Sequence, residues 1–496
     1  MKGLLAALSA ALALATGAQA GGSSVVFGAA EDRVRSPFAA ESDLELGLLR
    51  TSGFKAVRIT SFWEPGLSEP TPHEAMVLAN VHAAAELHGV RVYVSVYHAG
   101  SRTTPLTLAD RKDFASYAAA IVAANPGFRD VIVGNEPNLN RFWMPQFALD
   151  GTGASAPAYL RLLSLTYDAL KEASPDVRVW GGALAPRGVD KPNTGRDTIS
   201  PTRFIRELGR AYRRSGRTRP VMDGFSFHPY PLNSSVAVDA LPADPDHLGL
   251  IDQDVLVRLL GRAFDGTGQV GRGMPILYDE FGIESTIPFD KRELYGGVEP
   301  ATTRPVSEAA QAAAYRRAIH LAYCQSNVAG MLLFHTHDEP GRPGWQSGLV
   351  YTDGSPKSSL EPVRKAMDAA AENALGACPV EAKVSASFDA AARTISFRCE
   401  RACTYRARLL RLPRRTLLSS RTGRAAAGKR LTVRLPAAVV TPGWQQLSIH
   451  FADAALPGRP VERLSTPFVV RVSSPPRPLP AAVATTVLAP RSWLEP

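Results

Sequence analysis

The sequence predicts an α/β fold, a (β/α)8 barrel, followed by a small antiparallel β-sandwich-like domain. Three observations carry this prediction. Eight short apolar runs alternate with amphipathic helical stretches between residues 24 and 377, no glycine-rich phosphate loop follows the first run, and alternating strands replace this rhythm after Cys378. The length of 496 residues accommodates both parts, since such barrels take roughly 200 to over 400 residues.

The composition is that of a globular protein. Hydrophobic residues make up 45% and charged residues 21% of the chain, which excludes disordered, collagen-like and coiled-coil proteins. The net charge of +10 is unevenly placed, because residues 380–496 contain 19 basic and 6 acidic side chains and the remainder contains 37 and 40. A slightly acidic body with a basic C-terminal region predicts two domains with different roles.

The first twenty residues have the pattern of a signal peptide. Lys2 precedes an apolar run over residues 4–16, and the small residues Ala18 and Ala20 frame a cleavage site. The run is shorter than the roughly 20 apolar residues that a membrane-spanning helix needs. The sequence therefore predicts that residues 1–20 are removed and that the protein is secreted and extracellular.

The apolar runs and helical patterns follow each other in the order of a barrel. The strand-like runs lie at residues 25–28, 56–61, 90–97, 131–134, 177–181, 224–227, 276–278 and 330–334. Helical patterns lie at residues 73–87, 111–124, 158–173, 202–214, 253–264, 309–323 and 360–374. We therefore assign the barrel to residues 21–378, the accessory domain to 379–473 and a Pro- and Ala-rich tail, predicted to be disordered, to 474–496.

The four cysteines fit an oxidising compartment. They allow three pairings, of which the sequence favours Cys399–Cys403 across a short loop and Cys324–Cys378 between two helix ends. None of them has the spacing of a zinc site.

Two glutamates follow apolar runs at the positions where a barrel builds its active site. Glu136 comes after the fourth run and Glu280 after the seventh, and the C-terminal ends of barrel strands meet at one face. Two carboxylates across one pocket are the minimal equipment for glycoside hydrolysis, in which one protonates the leaving oxygen and the other attacks the sugar or activates water.

The sequence around both glutamates is similar to a known family. Asn135-Glu136-Pro137 and Glu280-Phe281-Gly282 resemble the strand-four and strand-seven motifs of the clan-A retaining glycoside hydrolases, TIM-barrel glycosidases that include the family 5 cellulase-like enzymes. The resemblance covers residues 25–377. It implies that Glu136 is the acid/base and Glu280 the nucleophile, that a β-linked or similarly equatorial oligo- or polysaccharide is the substrate, and that no cofactor or metal takes part.

Further residues fit a sugar-binding site. Arg58 and Tyr230 are candidates to keep Glu280 ionised. Asn135 is a candidate to hydrogen-bond the 2-hydroxyl of the sugar, and tryptophans are candidates to stack on sugar rings. The predicted substrate-binding residues are Arg58, His98, Asn135, His228, Tyr230, Trp345 and Trp63. Trp143 is a further stacking candidate that is equally compatible with loop packing. Strand alternation assigns a structural role to Asp279, and Trp180 is expected in the core.

Alternatives stay open at several points. The segment 335–339 contains two histidines and two acidic residues, which would fit a metal site only with ligands from other strands. A catalytically inactive carbohydrate-binding barrel, or a transglycosylase with the same two glutamates, are rival functions. The basic C-terminal domain has three possible roles: it contacts an acidic polymer or cell surface, it binds carbohydrate, or it packs with its arginines solvated. The last of these is favoured. Its arginines are not interleaved with aromatic residues, as they would be on a nucleic-acid-binding surface.

Overall fold

The computed structural model describes residues 21–413, 415–435 and 443–470. The predicted signal peptide and the predicted tail lie outside the described residues. The described chain divides into two compact units, one built from residues 21–236, 244–248 and 254–374, and the other from 237–243, 249–253 and the described residues from 375 onward.

The first unit is a closed barrel of eight parallel strands, as the sequence predicts. Each strand pairs with its neighbours in chain order, and the last strand pairs with the first, which closes the barrel. The strands are β1 (Val26–Ala30), β2 (Ala56–Trp63), β3 (Arg91–His98), β4 (Asp130–Val133), β5 (Arg178–Leu184), β6 (Gly224–Phe227), β7 (Ile276–Phe281) and β8 (Val328–Phe334).

In the described part of the chain, an α-helix follows each of these strands. The helices are α1 (Ala39–Thr51), α2 (Pro72–His88), α3 (Leu108–Ala124), α4 (Ser155–Ala173), α5 (Pro201–Arg214), α6 (Gln253–Phe264), α7 (Glu308–Cys324) and α8 (Leu360–Ala371). Their ends are encoded locally: Thr107 and Asp110 form a capping box that starts α3, and Gly89 ends α2 in a left-handed conformation with φ 61°. None of the helices in the described ranges is long and apolar enough to cross a membrane.

The second unit contains two antiparallel sheets, which confirms the predicted fold class. Strands β9 (Val384–Asp389), β10 (Thr394–Cys399) and β13 (Arg430–Arg434) form one sheet in the order β13-β10-β9. The other sheet has the order β12-β11-β14-β15, with β16 pairing to β14. Its strands are β11 (Cys403–Arg411), β12 (Thr416–Ala425), β14 (Gly443–Asp453), β15 (Val461–Leu464) and β16 (Phe468–Val470).

An apolar core and a short disulfide hold the second unit together. Phe397 from one sheet meets Phe451 from the other, with ring centroids 4.9 Å apart, and both are buried. Cys399 and Cys403 form the predicted disulfide between β10 and β11, and no cysteine in the described part of the chain is free.

A polar cluster closes the N-terminal end of the barrel. Asp130, the first residue of β4, accepts two hydrogen bonds from Arg91 at 2.7 and 2.8 Å and one from the Trp180 indole at 2.9 Å. Arg178 donates a further bond at 3.2 Å. Because the carboxylate is 1% exposed, its charge depends on these partners. Trp180 is buried beneath Tyr93, as expected for a core residue.

We expect Asp130→Ala to lower the free energy of unfolding of the barrel by about 3 kcal/mol, because it removes the acceptor shared by Arg91, Arg178 and the N–H of the buried Trp180 indole. Urea unfolding followed by tryptophan fluorescence measures this. Asp43→Ala is the control, since Asp43 pairs with His88 at an exposed site and its loss is expected to cost within about 0.5 kcal/mol. Equal stabilities of the two variants would contradict the prediction.

Candidate active site

Glu280 lies at the C-terminal end of β7 and is held on both oxygens. Arg58 of β2 donates to Oε1 at 2.8 Å, and the Tyr230 hydroxyl donates to Oε2 at 3.1 Å. The carboxylate is buried together with both partners. A cation on one oxygen and a hydroxyl donor on the other therefore fix the orientation of this carboxylate.

Arg58 connects several strands through one guanidinium group. Besides Glu280, its Nη2 donates to Ser95 of β3 and to the side-chain oxygen of Asn135, both at 3.1 Å. Its Nε lies 3.4 Å from Asp279 Oδ2. Burial opposes the charge of Arg58, but Glu280 and Asp279 outweigh this and hold its pKa above the usual value.

Glu136 reaches the same pocket from a strained turn after β4. Gly134 and Glu136 both have positive φ angles, 85° and 40°, and the Glu136 amide donates to the Ala183 carbonyl at 2.8 Å. A non-glycine residue in this conformation is held there by its surroundings. Glu136 Oε1 lies 3.0 Å from His228 Nδ1. Carboxylate oxygens of Glu136 and Glu280 lie within 4.8 Å of each other.

His228 bridges the acidic groups from a fully buried position after β6. Its Nδ1 faces Glu136, its Nε2 lies 3.2 Å from Asp279 Oδ2, and Glu280 Oε2 lies 3.5 Å from Nδ1. Burial opposes protonation, but Glu280 and Asp279 outweigh it and raise the pKa of His228 well above its usual value. Carboxylates therefore lie near both ring nitrogens, an environment that favours the imidazolium form.

Asp279 belongs to this cluster, which corrects the purely structural role expected from strand alternation. A register shift between Tyr278 and Phe281 interrupts the regular pairing of β7 with β8, and both Asp279 and Glu280 contact Arg58. Strand alternation holds only while the ladder is regular.

The predicted aromatic residues divide into two groups. Trp345 is partly exposed and packs on Tyr230, with ring centroids 5.0 Å apart, so it can offer a face beside the Glu280 carboxylate. Trp63 is fully buried, bonds the Leu67 carbonyl through its indole and packs on Phe114, which leaves no face for a sugar and corrects its assignment as a substrate-binding residue. Trp143 is buried as well.

His98 lies beside Trp143 rather than against the glutamates. Its Nδ1 donates to the Gly100 carbonyl at 2.8 Å, and burial lowers its pKa. Its described contacts are to Gly100 in the loop after β3 and to Trp143 in the loop after β4, so a direct role toward substrate stays a prediction.

The segment after β8 is used for loop anchoring. His335 donates to the Ala30 carbonyl at 2.8 Å and lies 3.4 Å from Glu339. Asp338 accepts from Lys357 at 2.6 Å in a fully buried pair. These separate pairings do not converge on a common point. Among the described residues, the barrel group whose ligand atoms could surround a metal ion is Glu136, His228 and Glu280, and the raised pKa of His228 disfavours the neutral imidazole that a metal ion binds.

The sequence reasoning missed three residues of the site. Ser95 bonds Arg58, Asp279 contacts Arg58 and His228, and Arg187 lies close enough to Glu136 to interact with its charge. Arg187 is held by the carbonyls of Tyr230 and Pro231, at 3.1 and 3.0 Å. Their positions in the sequence could have indicated them, because Ser95 and Asp279 lie in barrel strands and Arg187 lies shortly after one.

No family model and no curated protein matches the sequence. Solved structures match as follows. A GH5_18 protein from Streptomyces cattleya in complex with GlcNAc has a TM-score of 0.49 and 14% identity, over 72% of this chain and 84% of that chain. An exo-β-1,4-mannosidase from Opitutaceae bacterium strain TAV5 has a TM-score of 0.46 and 18% identity, over 75% and 64%.

A β-glucuronidase from Bacteroides uniformis matches with a TM-score of 0.44 and 11% identity, over 91% of this chain and 46% of that chain. The present chain thus spans about half the length of that enzyme.

Proposed function

We propose that the protein is a retaining glycoside hydrolase in which Glu280 is the nucleophile and Glu136 the acid/base. The observation that carries the proposal is the placement of two glutamate carboxylates within 4.8 Å, at the C-terminal ends of barrel strands four and seven. Retaining enzymes hold these groups about 5–5.5 Å apart, whereas inverting enzymes need about 6.5–9.5 Å to admit a water.

The two environments support the division of roles. Glu280 is fixed by Arg58 and Tyr230 and is aimed by contacts to both oxygens. In the first step Glu280 attacks the anomeric carbon while Glu136 gives its proton to the departing oxygen, which leaves a covalent glycosyl-enzyme. In the second step Glu136 takes a proton from water, the water attacks the same carbon, and Glu280 departs.

Substrate recognition follows from the groups beside the nucleophile. Trp345 and Tyr230 offer aromatic surface, and Asn135, fixed by Arg58, is placed to bond a sugar hydroxyl next to the reacting carbon. The proposed substrate is an oligo- or polysaccharide with a β or similarly equatorial linkage. We also propose that the protein is secreted, because residues 1–20 have a signal-peptide pattern and disulfides persist in oxidising compartments.

The test is hydrolysis of aryl β-glycosides and of β-glucans, mannans, xylans and galactans, with the first released anomer recorded by NMR. We expect net retention, and we expect Glu280→Ala to reduce kcat/KM on the order of 10⁴-fold or more. Azide is expected to rescue this variant and give a glycosyl azide of inverted configuration.

Glu207→Ala is the matched control, since Glu207 pairs with Arg203 on α5, outside the site. Net inversion, or full activity of Glu280→Ala and Glu136→Ala, would overturn the proposal. An excess of glycosylated acceptor over free sugar would identify a transglycosylase with the same nucleophile. Binding to a glycan without turnover would identify a carbohydrate-binding protein.

A specific observation also favours an acidic polymer as the partner of the C-terminal unit. Arg398 on β10 and Arg430 on β13 are direct cross-strand neighbours, and both are exposed. Like charges opposite each other destabilise a sheet. In the described part of this unit, Arg401, Arg408 and Arg415 make ion pairs, as does Lys383 with Glu400.

Arg434 extends this face along β13, and the hydroxyls of Ser396 and Thr432, 2.7 Å apart, lie between the arginines. We call Arg398, Arg430, Arg434, Ser396 and Thr432 the arginine face. We propose that it binds an anionic polysaccharide, whose charges relieve the repulsion and whose hydroxyls meet the Ser and Thr side chains.

We expect the protein to be retained on immobilised polygalacturonate or dextran sulfate and to elute with salt. The double change Arg398→Ser and Arg430→Ser is expected to lower the eluting salt concentration more than Arg406→Ser with Arg424→Ser. The control pair removes the same charge from exposed positions on the other sheet. If both pairs of substitutions lowered the eluting salt concentration equally, binding would depend on net charge alone, and the proposal of a specific arginine face would be wrong.

A further inference from the structure

The side chain of His228 contacts both the proposed acid/base and a carboxylate outside the two-glutamate mechanism. Its Nδ1 lies 3.0 Å from Glu136 Oε1 and its Nε2 lies 3.2 Å from Asp279 Oδ2. Both His228 and Asp279 have no exposed surface. The three residues therefore form a buried row, Asp279–His228–Glu136, that ends at the reacting group.

We propose that Asp279 is a positioning residue that keeps His228 protonated on both nitrogens, so that the imidazolium holds the carboxylate of Glu136 in place through catalysis. The inference rests on the glycosidase function proposed above and goes beyond it, because that mechanism assigns no task to Asp279.

The geometry explains why Asp279 is needed. An imidazole that faces carboxylate oxygens on both sides can donate to both only as the cation. The 3.2 Å contact of Nε2 with Asp279 does not have hydrogen-bond geometry, but it places an anion at that edge of the ring while Nδ1 is directed at Glu136. Glu136 then uses Oε1 to accept from His228, and its other oxygen remains for the proton that passes to the leaving group. When that proton departs, the new negative charge on Glu136 meets an N–H that is already in place.

Asp279 is one of three carboxylates that face His228. Glu136 faces the ring from the loop after β4, and Asp279 and Glu280 face it from β7. Tyr230, two residues along, donates to Glu280, and Arg58 of β2 contacts both β7 carboxylates. Arg187, after β5, interacts with Glu136. In the resting enzyme, where the proposed acid Glu136 carries its proton, Glu280 and Asp279 are the two anions beside the buried cations Arg58 and His228, and both raise the pKa of His228 against its burial.

The test is Asp279→Asn, which preserves shape and removes the charge. Without this anion the His228–Glu136 pair loses its first proton at lower pH, so the basic limb of the kcat/KM profile is expected to move to lower pH by about one unit. We expect kcat to fall at least about tenfold, since general acid–base catalysis is worth roughly 10²–10⁴. Asp130→Asn is the matched control, a buried barrel aspartate beside arginines at the other end, whose pH profile is expected to match wild type.

The same profile separates the two contacts of Asp279. A role exercised only through Arg58 would disturb Glu280 and move the acidic limb instead. A folded Asp279→Asn enzyme whose basic limb is unmoved would overturn the proposal.

A second measurement does not depend on activity. In wild type at pH 7, NMR is expected to show two slowly exchanging ring N–H signals for His228, assigned by their absence in His228→Gln. A neutral His228 in wild type would overturn the proposal even if Asp279→Asn failed to fold. Failure of the glycosidase function would instead appear as wild-type protein that hydrolyses no glycan, with the His228 signals still present.

Discussion

The buried guanidinium of Arg58 is the interaction on which the catalytic end of the barrel depends. A cation with 4% exposed surface is tolerated only where anions and acceptors surround it, and Arg58 draws these from β3, from the loop after β4 and from β7. Asn135 and Glu280 are therefore placed by the same group. Since Asn135 directly precedes Glu136, the position of the second glutamate is tied to Arg58 as well.

The opposite end of the barrel repeats this logic with the charges exchanged. There a buried aspartate, Asp130, collects Arg91, Arg178 and Trp180 at the first residues of three neighbouring strands. One end thus holds a buried anion among cations and the other a buried cation among anions. The apolar layer between them, with Tyr93, Ile132 and Leu277, separates the part that stabilises the barrel from the part that reacts.

The sequence predicts the barrel and the sandwich-like sheets from the order of strand and helix patterns, and the approach of Glu136 and Glu280 from their places after strands four and seven. The expectation that Arg58 and Tyr230 join them comes from the resemblance to the clan-A glycoside hydrolases, since Arg58 lies within β2 and not at its end. The sequence does not predict α1, whose first residue follows Phe38, a residue that provides no side-chain cap. It does not predict that Trp63 packs on Phe114 of α3, because a tryptophan at the end of a strand can point either to the pocket or to the helix layer.

The remaining differences depend on partners distant in the chain. Asp338 accepts a hydrogen bond from Lys357, and His335 donates one to the Ala30 carbonyl. No local pattern in residues 335–339 predicts these partners. The part played by Asp279 depends on a shift in the ladder between β7 and β8, and a ladder shift is set by the neighbouring strand rather than by the residues of β7 alone.

The pairing of Asp279 and Glu280 on one arginine has an evolutionary consequence. In most buried ion pairs, removal of the anion leaves the cation stranded and the protein destabilised. Here Arg58 contacts Asp279 as well as Glu280, so it keeps one anionic partner when Glu280 is replaced. For the proposed glycosidase, replacement of the nucleophile therefore removes the chemistry at a smaller cost in stability, and this makes the position an accessible route to a sugar receptor or to a glycan-synthesising catalyst.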